Sequence, residues 1–314
     1  MSRFLSVVIP VYNEEENVPE LGRQVTDALK SLDVRYEILF VDDGSNDGTW
    51  KAICDASSRH DGIEGIRLSR NFGHQHALLA GLSHARGEAV ISMDGDLQHP
   101  PRIIPALFEK WEEGFDIVNT VRTDDAETGG FKKMTSTCFY RLFSSMTDVK
   151  LAPGSSDFRL IDARVLEVLF GFRDTDIFLR GAVQWVGFNC ATVPYTADRR
   201  FTGETKYPLK KMLKFALGAV ISFSNKPLRM GIWLGAATSV MAAGELVYIL
   251  IRYAQGATLP GWASTMGIIS FLFGVLFIIL GIIGLYISRI HKILQGRPRF
   301  IVAERTKAVS RRFP

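Results

Sequence analysis

Ala89-Val90-Ile91-Ser92-Met93-Asp94-Gly95-Asp96 is a short apolar run that ends in two carboxylates one residue apart. The run reads as a buried strand. Leu97-Gln98-His99-Pro100-Pro101 follows and reads as a turn that opens a helix. Both acids then sit at the carboxyl edge of a strand, which in an open α/β sheet is where ligands bind. Two carboxylates this close repel unless a cation lies between them. Hard oxygen ligands suit Mg²⁺ or Mn²⁺, which usually rest on one or two carboxylates and on substrate phosphates. A solvated Asp-Gly turn has the same local sequence, so the neighbouring segments must decide between the two readings.

Those segments alternate in period. Leu5 to Val11 is a continuous β-branched strand running into Tyr12-Asn13-Glu14, and a helical pattern covers about Asn17 to Leu32. Tyr36 to Val41 is a second strand, ending in Asp42-Asp43-Gly44-Ser45; Asp47 then caps a helix to about Ser58. Ile63 to Leu68 is a third strand, followed by Ser69-Arg70-Asn71-Phe72-Gly73-His74-Gln75 and a helix through Ala85. After the Asp94 strand come a helix to about Glu113 and a strand over Phe115 to Asn119. Strands alternating with helices predict an α/β fold, a mostly parallel sheet with helices on both faces. Pro10, Tyr12, Asn13, Glu14, Asp42, Asp43, Asp94 and Asp96 would then share one rim. So many acids together point to a cation or a hydrogen-bonding ligand. Neither a Gly-x-Gly-x-x-Gly fingerprint nor a Gly-Lys-Ser/Thr phosphate loop follows the first strand. Any phosphate must be held in another way.

The bulk properties agree with a large folded chain. It has 314 residues, 47% of them hydrophobic, and a net charge of only +4, with no basic footprint for nucleic acid. Its three cysteines, Cys54, Cys138 and Cys190, form no Cys-x-x-Cys pair and read as reduced thiols. The first residues are a strand and an acidic turn rather than a signal peptide.

Ser6-Val7-Val8-Ile9-Pro10-Val11-Tyr12-Asn13-Glu14, Val41-Asp42-Asp43-Gly44-Ser45 and Met93-Asp94-Gly95-Asp96-Leu97-Gln98-His99-Pro100 together resemble family 2 glycosyltransferases, which have the nucleotide-sugar-binding GT-A fold. Ser69 to Gln75 resembles the branch that moves one sugar onto a polyprenyl phosphate, the bactoprenol glucosyltransferase and dolichol-phosphate-mannose synthase group. The resemblance implies that Pro10, Tyr12, Asn13, Glu14, Asp42 and Asp43 surround the nucleotide. It implies that Asp94 and Asp96 face sugar and metal. It also implies a loop acid beside the reaction centre, at Asp157, as base or as positioning group. A phosphate monoester has its second pKa near ~6, so it needs alignment more than deprotonation. Arg200 and Lys206 in the stretch Arg199-Arg200-Phe201-Thr202-Gly203-Glu204-Thr205-Lys206-Tyr207 match a cationic element for the diphosphate or the acceptor phosphate, and Arg122 is a further candidate for the acceptor phosphate.

Phe131 to Thr147 is amphipathic, and Pro208 to Ile221 places Leu209, Met212, Leu213, Ala216, Leu217 and Val220 on one face with lysines off it. That pattern predicts an interfacial helix over 208–230. Residues 231–251, broken only by Glu245, and 263–287, uncharged, each exceed the ~18 apolar residues of a spanning helix. Basic residues flank the hairpin on both outer sides, which places residues 1–207 and a basic tail, 288–314, in the cytoplasm. The tail is expected on anionic headgroups. Glu245 needs a partner or an aqueous surface at its depth, Gly235, Gly274, Gly281 and Gly284 permit close helix packing, and the resemblance implies a homo-oligomer, tetramer or dimer.

These expectations converge on an inner-membrane glycosyltransferase that uses Mg²⁺ or Mn²⁺ and transfers a hexose from a nucleotide sugar to polyprenyl phosphate. UDP-glucose is the favoured donor; GDP-mannose and a UDP-4-amino-pentose are the alternatives. A processive synthase would carry Gln-x-x-Arg-Trp, a spacing that Gln184-Trp185 lacks. A non-catalytic scaffold would have no need of the intact acid set.

Overall fold

The computed structural model describes residues 3–123, 155–172, 178–196, 224, 226–256 and 261–307. The chain forms two compact units, one of residues 1–219 with 298–314 and one of residues 220–297.

The first unit is built on one eight-stranded sheet. In chain order the strands are β1 (Phe4–Val11), β2 (Arg35–Asp42), β3 (Ile63–Leu68), β4 (Ala89–Ser92), β5 (Ile117–Arg122), β6 (Ser155–Asp162), β7 (Cys190–Tyr195) and β8 (Val302–Arg305). Across the sheet they run β7-β5-β6-β4-β1-β2-β3-β8. β1 pairs in parallel with β2 and β4, β2 with β3, and β5 with β7. Only β6 and β8 run against their neighbours. The mostly parallel α/β sheet expected from the alternating pattern is therefore present.

Helices α1 (Asn17–Lys30), α2 (Thr49–Arg59), α3 (His74–His84), α4 (Ile104–Glu112), α5 (Ala163–Phe170) and α6 (Leu179–Trp185) connect the strands. Asp47 Oδ1 accepts the Thr49 N–H at the start of α2, and Asp162 Oδ1 accepts the Arg164 N–H at the start of α5; each satisfies a donor the helix leaves unpaired. The strand side chains explain the sheet. Leu5, Val7 and Ile9 of β1, with Ile38 and Phe40 of β2 and Ile91 of β4, are fully buried in one core with Leu21, Val25 and Leu29 of α1. Each such side chain contributes about 1.5–3 kcal/mol of hydrophobic burial. Covered on both faces, these strands read as continuous apolar runs rather than alternating ones.

β8 was not anticipated. The segment 288–314 was expected to be a basic tail on headgroups, yet Val302–Arg305 pairs antiparallel with β3, Arg67 opposite Glu304 and Ile66 opposite Arg305. Only four residues long and half of it charged, Glu304 and Arg305, it carries no periodic signal. Its pairing depends on an open sheet edge supplied by β3.

The second unit holds α7 (Lys226–Ala254) and α8 (Trp262–Leu294), both long and apolar enough to cross a membrane. Ile232, Trp233, Val240 and Phe277 are each more than 60% exposed on the chain itself, an apolar surface that water does not favour. Gly231 and Gly235 face Ile279, so small residues on α7 let α8 approach there. Among the described residues, nothing lies within 4 Å of a Cβ position at Gly274, Gly281 or Gly284.

Candidate active site

The sheet direction decides which residues meet. β1, β2 and β4 present their carboxyl ends to one rim, and β6, running the other way, brings its beginning there. Ser92 pairs with Arg159, so Asp157 lies level with the turn that follows β4. The Ser92 hydroxyl donates to the Asp157 carbonyl at 2.5 Å, fastening the two strands.

The Asp94-Gly95-Asp96 turn is shaped by packing. A Cβ on Gly95 would lie 2.6 Å from Val11 Cγ1 and 3.1 Å from Pro10 O, so only glycine fits against β1. Leu97 takes a left-handed φ of 60°, a conformation costing roughly 1–2 kcal/mol for a non-glycine residue. Such strain gathers at functional sites. Buried His99 accepts the Asp94 N–H on Nδ1 at 2.9 Å, which leaves the proton on Nε2. The ring stacks on Phe158 at 5.1 Å, and burial lowers its pKa. His99 therefore holds the turn as a neutral imidazole. Asp94 Oδ1 is buried without a hydrogen-bond partner, and Asp96 Oδ1 accepts the Gln98 N–H at 3.2 Å.

Beside the turn lies a cluster around Asp157, whose side chain is 3% exposed. Arg180 of α6 grips it with both ends of the fork, Nε to Oδ1 at 2.9 Å and Nη2 to Oδ2 at 2.8 Å. Gln75 Nε2 donates to Oδ2 at 3.2 Å. Fully buried Arg159 lies 3.4 Å from Oδ1, its own pKa brought down to about 10 by burial. Burial alone would raise the Asp157 pKa; the Arg180 charge, the nearby His74 ring, the Arg180 hydrogen bonds and the Arg159 charge hold it well below the usual carboxylate range. A carboxylate so held is a weak proton acceptor. His74 Nε2 stands between the two acids, 3.4 Å from Asp94 Oδ1 and 3.8 Å from Asp157 Oδ2. Burial opposes its protonation, but the nearby Asp157 and Asp94 carboxylates raise its pKa above the ordinary value.

The nucleotide-side residues divide. Tyr12 is 41% exposed, and Asn13, with a left-handed φ of 55°, accepts the Asn46 N–H on Oδ1 at 3.0 Å. Pro10 is buried in β1, and Glu14 Oε2 accepts from Asn17 Nδ2 at 2.5 Å. Asp42 is fully buried; Oδ1 accepts the Ser45 N–H at 2.8 Å, and Arg67 Nε lies 3.4 Å from Oδ2. Asp43 accepts the Phe72 N–H at 2.8 Å and the Gly73 N–H at 2.9 Å, one on each oxygen. Both oxygens hold the 69–73 loop to the end of β2. A cleft of about 450 Å³ opens here, lined by Tyr12, Ser45, Asn46, Arg67, Arg70 and Glu304 among others.

Arg122 is exposed at the end of β5. Arg200 and Lys206 lie outside the described residues, as do the segment 131–147 and most of 208–230. Sequence reading missed Arg180, His74, His99 and Arg159 as site residues. His74 stood inside a quoted motif, and Arg159 two residues beyond Asp157. Arg180 had no local signal, since it reaches Asp157 across 23 residues of chain.

Comparison with known proteins follows this geometry. The family model for glycosyl transferase family 2 matches residues 6–170. The chain is 40% identical over 307 residues to the uncharacterized glycosyltransferase YkcC of Bacillus subtilis, covering 96% of this chain and 94% of that protein. It is 36% identical over 304 residues to a prophage bactoprenol glucosyl transferase homolog of Escherichia coli, covering 95% and 98%. The crystal structure of mannosyl-3-phosphoglycerate synthase from Rubrobacter xylanophilus has the same fold, with a TM-score of 0.50 at 18% identity over 70% of this chain and 73% of that one. Matched by the family model over more than half its length and by relatives almost end to end, the chain is a glycosyltransferase and belongs to glycosyl transferase family 2.

Proposed function

We propose that this enzyme transfers one hexose from a nucleotide diphosphate sugar to polyprenyl phosphate at the cytoplasmic face of the inner membrane. The observation that carries the reading is the pairing, on one rim, of the Asp94-Asp96 turn with the Asp157-Arg180-His74 cluster. The relatives named bactoprenol glucosyl transferase support a polyprenyl phosphate acceptor and glucose as the sugar. UDP-glucose is thus the favoured donor, ahead of GDP-mannose and a UDP-4-amino-pentose.

The residues fit a divalent cation, Mg²⁺ or Mn²⁺. Asp94 Oδ1 is buried with no hydrogen-bond partner among the described residues, although His74 Nε2 stands 3.4 Å away, and Asp96 follows two residues on in the same turn. Among the described residues no third acid, His or Cys completes an all-protein cage. Such a donor set leaves coordination to the substrate diphosphate, as hard cations on one or two carboxylates usually do. When bound there, the cation neutralises charge developing on the leaving group.

In the proposed displacement an acceptor phosphate oxygen attacks the anomeric carbon of the hexose. The bond from that carbon to the diphosphate breaks, its electron pair leaves with the nucleoside diphosphate, and configuration inverts. The acceptor is already mostly ionised near neutrality, so no strong base is required. Asp157 instead fixes Arg180 and His74, two groups suited to holding anionic oxygens in line. Arg122, Arg200 and Lys206 are proposed for the diphosphate and the acceptor phosphate. Helices α7 and α8 would span the bilayer, with basic flanks in the cytoplasm, in a homo-oligomer.

A donor panel tests the proposal. Full-length protein in detergent receives polyprenyl phosphate, Mg²⁺ or Mn²⁺, and radiolabelled UDP-glucose, GDP-mannose or other UDP-sugars. Label enters the lipid phase with one donor and chelator abolishes it. Asp96→Asn is expected to lose the metal-supported turnover with its melting temperature intact. Absence of lipid label with every donor would overturn the acceptor assignment, and undiminished turnover in chelator would overturn the metal.

A further inference from the structure

The strand that arrives last in the chain closes one side of the cleft on the sheet rim. β8 is fastened to β3 along its whole length. The Ser69 N–H donates to Ile301 O at 2.9 Å, the Thr306 N–H to Gly65 O at 3.1 Å, and the Gly65 N–H to Thr306 Oγ1 at 2.8 Å. Phe300 is buried against His84, whose Nε2 lies 2.9 Å from Arg305 Nη2. Running antiparallel, β8 lays Ala303 and Glu304 on the lining of the cleft, opposite Tyr12 and the Ser45-Asn46 turn.

Glu304 is the side chain that shapes that wall. Its Oε1 accepts from Arg67 Nη1 at 2.9 Å and its Oε2 from Trp50 Nε1 at 3.1 Å. The Arg67 guanidinium lies 6.0 Å from the Trp50 ring centre and 3.4 Å, by Nε, from Asp42 Oδ2. Arg67 is thus stretched between a fully buried acid at the end of β2 and a half-exposed acid on β8. With Glu304 removed, Asp42 alone would draw it inward. The cleft offers a ring to stack on, Tyr12, with hydroxyl and amide groups from Ser45, Asn46, Ser69 and Asn71. That is the chemistry of a base and ribose site. It lies two to three strands along the rim from the Asp94-Asp96 turn, roughly 10–14 Å at about 4.8 Å per strand, a gap an extended nucleoside diphosphate bridges.

We propose that Glu304, delivered by β8, is a positioning residue for the nucleoside half of the donor, holding Arg67 across the cleft. The segment that follows the second apolar helix is then a structural part of donor recognition. This rests on the nucleotide-sugar reading above.

The test is a titration of full-length protein in detergent with Mg²⁺, using UDP and GDP, and pyrophosphate as the nucleoside-free control. Glu304→Gln keeps the side-chain volume and an acceptor oxygen for Trp50 but loses the charge that holds Arg67. The nucleotide that binds wild type is expected to bind Glu304→Gln about tenfold more weakly, with pyrophosphate binding changed less than twofold. In turnover the donor KM rises and kcat at saturating donor holds, and Glu304→Asp recovers part of the loss. Unchanged nucleotide affinity, or equal weakening of nucleotide and pyrophosphate, overturns the proposal. Should Glu304→Gln unfold, Trp50→Phe removes one of the two Glu304 anchors and is expected to weaken nucleotide binding in the same selective way; failure of that selectivity also overturns it. If wild type binds neither UDP nor GDP, the donor reading itself has failed and this proposal falls with it, a result the wild-type titration reveals alone.

Discussion

Replacing Gly95 by alanine separates packing from chemistry at the Asp94-Gly95-Asp96 turn. Gly95 does not have a left-handed φ, so alanine meets no backbone penalty there and only space opposes it. Its Cβ would sit 2.6 Å from Val11 Cγ1, where carbon pairs rest at about 3.5–4.0 Å. The turn or the valine must therefore give by about 1 Å. Val11 is 3% exposed in β1 and its β-branched side chain has little rotamer freedom, so the turn moves. Overpacking of this kind costs about 1–3 kcal/mol of stability. A misplacement of about 1 Å at reacting groups costs about 100-fold in rate, or about 2.7 kcal/mol. Sugar transfer at saturating substrates should fall about 100-fold in Gly95→Ala while the protein stays folded. Adding Val11→Ala removes the opposing methyl and should return at least tenfold of the loss. A Gly95→Ala enzyme within twofold of wild type, or a double variant no better than the single, would refute this account.

Other perturbations probe the same rim. Arg180→Ala strips the bidentate partner from a buried carboxylate and should cost about 1–3 kcal/mol in denaturant unfolding, together with most of the transfer activity; an active, equally stable variant would argue against the cluster. Asp43→Ala leaves the Phe72 and Gly73 N–H groups without their acceptor, a loss of about 2 kcal/mol. Asp43→Asn should be nearly as costly, because its amide presents one acceptor where two donors converge. In pH terms, an acid whose folded pKa is depressed stabilises fully above its unfolded value, about 3.9, and loses that stabilisation only as pH falls through the folded pKa. Asp157 therefore stays ionised from pH 5 to 8, and the acid limb of kcat/KM should follow the acceptor phosphate near ~6. Asp157→Asn should lower the profile without changing its shape; disappearance of a limb would return Asp157 to the role of base.

The parts of this protein legible in the sequence are those where local chemistry and burial coincide. β1, β2 and β4 are covered on both faces, so they appear as uninterrupted Val, Ile and Leu runs, and the Asp-Gly-Asp turn follows such a run directly. The two long helices are likewise marked by composition alone. Tertiary structure decided what depends on strand direction and on distant partners. Asp157 reaches the Asp94-Gly95-Asp96 turn because β6 runs antiparallel to β4. Arg180 takes both of its oxygens from a helix that follows it in the chain. Asp42 and Asp43 look alike in sequence, yet one is drawn beneath Ser45 and Arg67 while the other ties down the 69–73 loop. β8 is too short to announce itself and exists because β3 leaves an edge with unpaired backbone groups, which four residues near the end of the chain satisfy.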